Sequence, residues 1–272
     1  MKVQGKTIVV TGAGNGMGRE MVFELLKRGA SVAAVDLNEH FLEETRQKIS
    51  EKHRNRFSPH CVDITDLHAV ESLPALVISA HGQVDGLINN AGIIQPFVRV
   101  NDVDYATVDK VMKVNFFGSL YMVKTFLPYL LNRPEAHIAN VSSMGGFLPV
   151  PGQSIYGASK AAVKLMTEGL QSELSSSTVG VSIIFPGAVG TNITANSGVH
   201  MQLGKAAEEM AKKYKALSPD KAASIMIDGI EKNRSRIYVG KDARLMNILY
   251  RISPGYASRL ITRKMKQLLG DQ

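Results

Sequence analysis

The sequence has 272 residues, 44% of them apolar, with 32 Lys and Arg against 24 Asp and Glu and a single cysteine. That length suffices for one well-buried α/β core over 1–272, while one cysteine excludes an internal disulfide and a thiolate metal cluster and points to a reducing compartment. No apolar run approaches the roughly 20 residues that span a bilayer, and MKVQGKT enters a strand at once without a signal-peptide pattern, so a cytoplasmic protein is expected.

In chain order, apolar and β-branched runs predict strands near 6–11, 31–36, 57–62, 84–89, 136–142, 179–185 and 236–239. Helical stretches lie between them, two of them long, near 103–131 and 153–176. Such alternation predicts an α/β fold: a single Rossmann-like domain with a seven-stranded parallel sheet and helices on both faces. Pro128 should kink or end the first long helix. Cys61 follows the apolar start of the third strand and is expected to be buried. His40, His53, His60, His68 and His81 fall in polar stretches without metal-ligand spacing; they are expected to be solvated, and no metal is expected.

The first strand runs into TGAGNGMG, a glycine turn that opens a helix. Glycines let a backbone approach a pyrophosphate, and the free N–H groups of the helix N-terminus favour its charge. The pattern is T-G-x-x-x-G-x-G, with Thr11-Gly12, Gly16 and Gly18; Met17 breaks the commoner G-x-G-x-x-G. Eighteen residues on, Asp36 ends the second strand, where an acid can accept hydrogen bonds from adenosine ribose hydroxyls.

Tyr156 and Lys160, in SIYGASK, share one helix face at i and i+4. For a tyrosine to trade protons near neutral pH, its pKa must fall from roughly 10 toward 7, a change worth about 4 kcal/mol. A cation alongside favours the phenolate. Ser143, thirteen residues before Tyr156, ends an apolar run and is placed to hydrogen-bond a substrate oxygen. Asn115, inside a helical stretch between Val114 and Phe116, has poor helix propensity and a side chain that needs partners.

Together these segments resemble the short-chain dehydrogenase/reductase family of the ordinary single-domain kind. The resemblance runs from about residue 5 to 192 and takes in TGAGNGMG, Asp63 in CVDIT, NNAG at 89–92, Asn115, Ser143, Tyr156, Lys160 and PGAVGT at 186–191. It implies a catalytic tetrad of Asn115, Ser143, Tyr156 and Lys160, with Asn115 holding a water that links Lys160 toward solvent. It also implies dinucleotide contacts at Gly12, Asn15, Gly16, Met17, Gly18, Asp36 and Leu37, and at Asp63 (adenine amino group) and Ile64. Asn89, Asn90, Ala91 and Gly92 follow on the fourth strand. Pro186, Gly187, Val189 and Thr191 lie toward the nicotinamide, with Tyr156 and Lys160 at its ribose.

An Asp36 carboxylate repels the 2′-phosphate that distinguishes NADP from NAD. The positions where NADP users of the family tend to carry a base are Asn15 and Leu37, neither of them basic, so NAD is expected over NADP; Arg19 and His40 are the nearby cations. The segments expected to face the crevice, 93–98, 144–150 and an insertion at 192–215 with Ile193, Met201, Leu203 and Met210, are largely apolar, although Lys205 is a cation there. A hydrophobic secondary alcohol or ketone (steroid-, retinoid- or fatty-alcohol-like) is the expected substrate. The alternative is a non-catalytic dinucleotide-binding or scaffold protein on the same fold.

Charge is concentrated at the end. Residues 231–272 hold ten Lys and Arg against three Asp and Glu, which is +7 of the formal +8. If YASRLITRKMKQLL is helical, Ala257, Leu260, Ile261, Met265, Leu268 and Leu269 form one arc, with Arg259, Arg263 and Lys266 opposite and Lys264 intruding. This basic extension, 241–272, has two readings: a helix docked on the domain or on a neighbouring subunit, or a peripheral contact with an anionic membrane. A homo-oligomer, dimer or tetramer, is expected. Nucleic acid is not, since no recognised motif accompanies the charge.

Overall fold

The computed structural model describes residues 1–199 and 216–269. Met201, Leu203, Lys205 and Met210 therefore lie outside the described residues, as do the side chains of Lys264, Lys266, Leu268 and Leu269. The strands are β1 (Thr7–Thr11), β2 (Ser31–Asp36), β3 (Phe57–Cys61), β4 (Gly86–Asn89), β5 (Ala136–Val141), β6 (Val179–Pro186) and β7 (Arg236–Val239). Each matches an expected strand to within two residues. They form one parallel sheet in the order β3-β2-β1-β4-β5-β6-β7.

Both faces of the sheet are covered, as the continuous apolar runs require. Ile8 and Val10 of β1 face a core with Met21, Val22 and Leu25 of α1 (Gly16–Lys27) and with Ala222, Met226 and Ile230 of a later helix, Pro219–Glu231. Val9 faces the other way, into a core with Val70, Leu73 and Val77 of the helix Leu67–His81 and Met122 and Phe126 of Ser119–Leu131. One residue of register thus separates the two cores.

The stretch read as a single helix over 103–131 is three pieces. Tyr105–Met112 and Ser119–Leu131 are α-helical, and Lys113–Gly118 between them is a π-helical turn that holds Asn115. Pro128 neither ends nor interrupts the last piece, which continues to Leu131. Cys61 is exposed rather than buried, because it ends the edge strand β3, where cover has run out. Nor are all the polar-segment histidines solvated. His60 and His81 are partly buried and share the Ser58 hydroxyl, each with Nε2 at 2.8 Å. Burial holds both below the ordinary histidine pKa.

The C-terminal segment forms two helices, Lys241–Ile252 and Pro254–Leu269. Their inner face packs Met246, Ala257, Leu260 and Ile261 against Met144, Phe147 and Leu148. Ala257, Leu260 and Ile261 of the apolar arc therefore dock on the chain itself, against apolar side chains of 144–148.

Candidate active site

The order of the sheet reverses between β1 and β4, and crevices form outside strand C-termini at such a point. The glycine turn leaves β1 there and NNAG leaves β4. Thr11 Oγ1 accepts the backbone N–H groups of Asn90 and Ala91 at 3.0 and 3.1 Å, and Asn90 Nδ2 donates to the carbonyls of Thr11 and Gly12. The two loops are thereby fixed to one another.

Gly12 and Gly16 have φ of 64° and 53°, in the left-handed region that favours glycine. A Cβ on Gly18 would collide with the Gly12 carbonyl, so Gly18 serves the packing of turn on helix. Asn15 caps α1, its Oδ1 accepting from Gly16 N at 2.6 Å. The cleft above has a volume of about 360 Å³. Of the expected contacts, it is lined by Gly12, Asn15, Gly16 and Met17 of the turn, by Asp36 and Leu37, by Asp63 and Ile64, by Asn90, Ala91 and Gly92, and by Thr191. Phe41, Val62, Lys110 and Val114 line it as well; Val62 beside Asp63 and Val114 beside Asn115 adjoin expected residues, whereas Phe41 and Lys110 have no signal in the sequence.

Other expected contacts stand behind this surface. Asn89 is buried beneath it, its Nδ2 donating to Asn140 Oδ1 and the Ser119 carbonyl. Pro186, Gly187 and Val189 are not part of the lining; this loop is buttressed where Asp242 accepts from Ala188 N at 2.7 Å and where Val189 bridges Leu217. Asp63 is exposed and accepts from both Thr65 N and Thr65 Oγ1 at 2.8 Å.

The Asp36 carboxylate is held on two sides: Oδ2 accepts from Gly14 N at 2.8 Å and Oδ1 from Asn38 N at 3.0 Å. Arg19 points away from the cleft rim. Its Nε donates to the Gly14 carbonyl and Thr45 Oγ1, and its Nη2 pairs with Glu44 at 2.8 Å, lowering the Glu44 pKa. His40 also faces Glu44. Leu37 is exposed beside Asp36.

Ser143 and Tyr156 meet across Gly145, at which a Cβ would lie 3.5 Å from both Ser143 Oγ and Tyr156 Cε1. Tyr156 is in the first turn of the helix Ser154–Glu173. Lys160, one turn on, is 4% exposed and donates to the Val141 carbonyl at 3.0 Å. Burial depresses its pKa to about 8. For Tyr156, burial raises the pKa and outweighs the hydrogen bond with Ser143 that lowers it. The expected lowering of the Tyr156 pKa by a cation alongside is therefore corrected: burial raises it, and the lowering contribution comes from Ser143.

Asn115 is fully buried, and its amide bonds another segment instead of its own helix. Oδ1 accepts Ile93 N at 2.8 Å, and Nδ2 donates to the Ile93 carbonyl and Ser159 Oγ. A Cβ on Gly92 would stand 3.0 Å from Lys160 Nζ and 3.1 Å from Asn115 Oδ1, so the two groups flank the same backbone atom. Two further polar residues escaped the sequence reading. Gln95 and Gln153 are both buried, and Gln153 Nε2 donates to the Gln95 carbonyl at 2.8 Å. Gln95 sat in a segment read as apolar pocket lining, and nothing in one sequence marks it otherwise.

Residues 6–202 match the short chain dehydrogenase family. The chain belongs to that family. It is 31% identical over 264 residues to the Mycobacterium tuberculosis protein SadH, named as an oxidoreductase, covering 95% of this chain and 94% of SadH. A short-chain dehydrogenase/reductase from Burkholderia phymatum, solved with NAD, superposes with a TM-score of 0.80 at 26% identity, over 93% of this chain and 96% of that one. A short-chain dehydrogenase from Burkholderia cenocepacia, solved with NADP, superposes at 0.79 and 25% identity, over 96% and 99%. As a short-chain dehydrogenase, the chain is an oxidoreductase with the family's parallel sheet.

Proposed function

We propose that this short-chain dehydrogenase is an NAD(H)-dependent enzyme interconverting a hydrophobic secondary alcohol and its ketone. The observation that carries the reading is the meeting of Ser143 and Tyr156 across Gly145, one helical turn from a buried Lys160, beside a cleft built by the glycine turn and NNAG. That cleft suits a dinucleotide: side-chain-free backbone at Gly12 and Gly16, a helix N-terminus, and a fixed carboxylate at the end of β2. Bound NAD would supply a hydride acceptor, and its reduced form a hydride donor.

The chain's own residues would handle the proton. In ketone reduction Ser143 Oγ holds the carbonyl oxygen while Tyr156, protonated because burial raises its pKa, gives up its phenolic proton. In alcohol oxidation Tyr156 must first lose its proton, and its phenolate then takes the hydroxyl proton as the carbinol hydride leaves for the bound dinucleotide. Lys160 is charged below about pH 8 and stabilises the phenolate in either direction. Asn115 holds the 92–93 backbone against Lys160 and would support a water on the proton path.

The two amides on the Asp36 carboxylate and the engagement of Arg19 with Glu44 support NAD over NADP, since the acid is fixed at the cleft and Arg19 is turned away from it. Ile93 and Ile193 on the cleft wall support an apolar substrate. The test is the near-ultraviolet absorbance of reduced nicotinamide, followed with NAD and a panel of secondary alcohols. Turnover on apolar members supports the reading. Dinucleotide binding with no turnover on any member would make this a binding protein.

A further inference from the structure

The two C-terminal helices have an outer face that the docking on 144–148 leaves uncovered. On Lys241–Ile252, Leu245, Ile248 and Ile252 follow i, i+3, i+7 spacing and are 64%, 48% and 78% exposed. Arg244 and Arg251, seven apart and both exposed, form a row flanking Ile248. On Pro254–Leu269, the exposed Tyr256, Arg259 and Arg263 repeat the i, i+3, i+7 row. None of these four arginines makes an ion pair among the described residues. Asp242, the acid of the first helix, is spent on Ala188 N.

We propose that this face docks on an anionic lipid surface, with Leu245, Ile248, Ile252 and Tyr256 entering the headgroup boundary and the arginines pairing with lipid phosphates or carboxylates. Charge chooses the occupant. A second copy related by a two-fold axis would bring the same arginine rows together with no carboxylate between them. A polyanion in solution would satisfy the arginines but leave the large apolar side chains in water. An anionic bilayer surface satisfies both, and amphipathic helices with a basic flank bind it in this way. A second observation places apolar chemistry on the inner side of the same helices. A cavity of about 520 Å³ lies between Tyr250 and Thr262 of the helices and Phe147, Leu148, Val150 and Ala161 of the body. No helix of the described residues is long and apolar enough to cross a membrane, so the contact is peripheral. The proposal does not depend on the reaction proposed above.

The test is co-sedimentation of the full chain with vesicles of phosphatidylcholine alone and of phosphatidylcholine with phosphatidylserine, at low and high salt. Two variants accompany it, Leu245→Gln/Ile248→Gln/Ile252→Gln and Arg244→Gln/Arg251→Gln/Arg259→Gln/Arg263→Gln, both confined to exposed side chains and checked for unchanged melting temperature. The expected result is pelleting with the serine-lipid vesicles only, weakened by salt. Each variant should lower vesicle affinity by about tenfold or more. Absence of pelleting, or pelleting unchanged in the arginine variant, overturns the proposal. Full pelleting by the apolar variant would reveal a purely electrostatic polyanion contact and overturn it equally. So would a lipid-free oligomer that the apolar variant dissociates, since the face would then cover a second copy.

Discussion

The side-chain oxygen of Gln95 accepts the backbone N–H of Tyr156 at 3.0 Å, and that of Ile155 at 2.8 Å, across 61 and 60 residues of sequence. The loop leaving β4 therefore caps the helix that carries the tyrosine. Gln153 returns the bond to the Gln95 carbonyl, and Asn115 clasps the same loop at Ile93. The NNAG segment and the phenol are thus parts of one hydrogen-bonded unit.

Gln95→Ala would leave two helix amides without an acceptor, at a cost of about 1–3 kcal/mol of stability. Gln95→Glu keeps both acceptors and should recover most of that loss. Its charge beside Tyr156 should raise the phenol pKa, moving the rising limb of the alcohol-oxidation pH profile to higher pH. Urea titrations and pH–rate profiles of both variants check this. An unshifted profile in the glutamate variant would separate the cap from the chemistry.

Cofactor choice should turn on Asp36. Asp36→Ala with Leu37→Arg removes a repulsive charge and adds an attractive one at an exposed position, and should shift the NADP-to-NAD ratio of kcat/KM by about tenfold or more. Tighter NADP than NAD binding in the unaltered protein would contradict the argument.

Lys160 should weaken the fold it serves. Its pKa is about 8 when folded against roughly 10.5 when unfolded, so below pH 8 the folded state carries a buried charge that the unfolded state solvates. Between those values the unfolded chain holds the extra proton, and stability rises with pH. Lys160→Met should therefore gain stability near pH 7, by about 3 kcal/mol at most, with the advantage shrinking toward pH 10. Denaturant midpoints at the two pH values report it. An equal change at both would show that the lost bond to Val141 dominates.

His137 gives the acid branch. It is buried on β5 with Nε2 against Ser182 Oγ, and burial, helped by the charge of the N-terminus, depresses its pKa to about 3. The unfolded chain takes up that proton near pH 6.5, so stability falls as pH drops from about 6.5 to about 3. At pH 4.5 the loss should be on the order of 3 kcal/mol. His137→Gln, measured by urea unfolding at pH 7 and 4.5, should show a smaller loss than the parent; parallel losses would place the acid sensitivity elsewhere.

The sheet was legible because its strands are unbroken apolar runs and its glycine turn has one geometric purpose. Tyr156, Lys160 and Ser143 were legible because helical spacing and a strand end fix where such residues point. Gln95, Gln153 and the turned-away Arg19 were not, since their roles are set by partners 25 to 61 residues distant, which no local pattern encodes. Asn115 stands out in the sequence by its propensity, but neither the π-helical turn that presents it nor its bonds to Ile93 and Ser159, 22 and 44 residues away, have a local signature. Cys61 misled because an apolar strand start says nothing about which strand lies at the sheet's edge.

The central claim is that Tyr156 moves the proton while a hydride passes to NAD. A secondary alcohol deuterated at its carbinol carbon, incubated with NAD and either the parent protein or Tyr156→Phe, tests it directly through the mass of the reduced dinucleotide. The account predicts a deuterium-labelled product from the parent. It predicts a loss of at least about a hundredfold in its rate of formation by the variant, with NAD affinity and melting temperature retained. Labelled product formed at most of the parental rate by Tyr156→Phe would contradict the assignment.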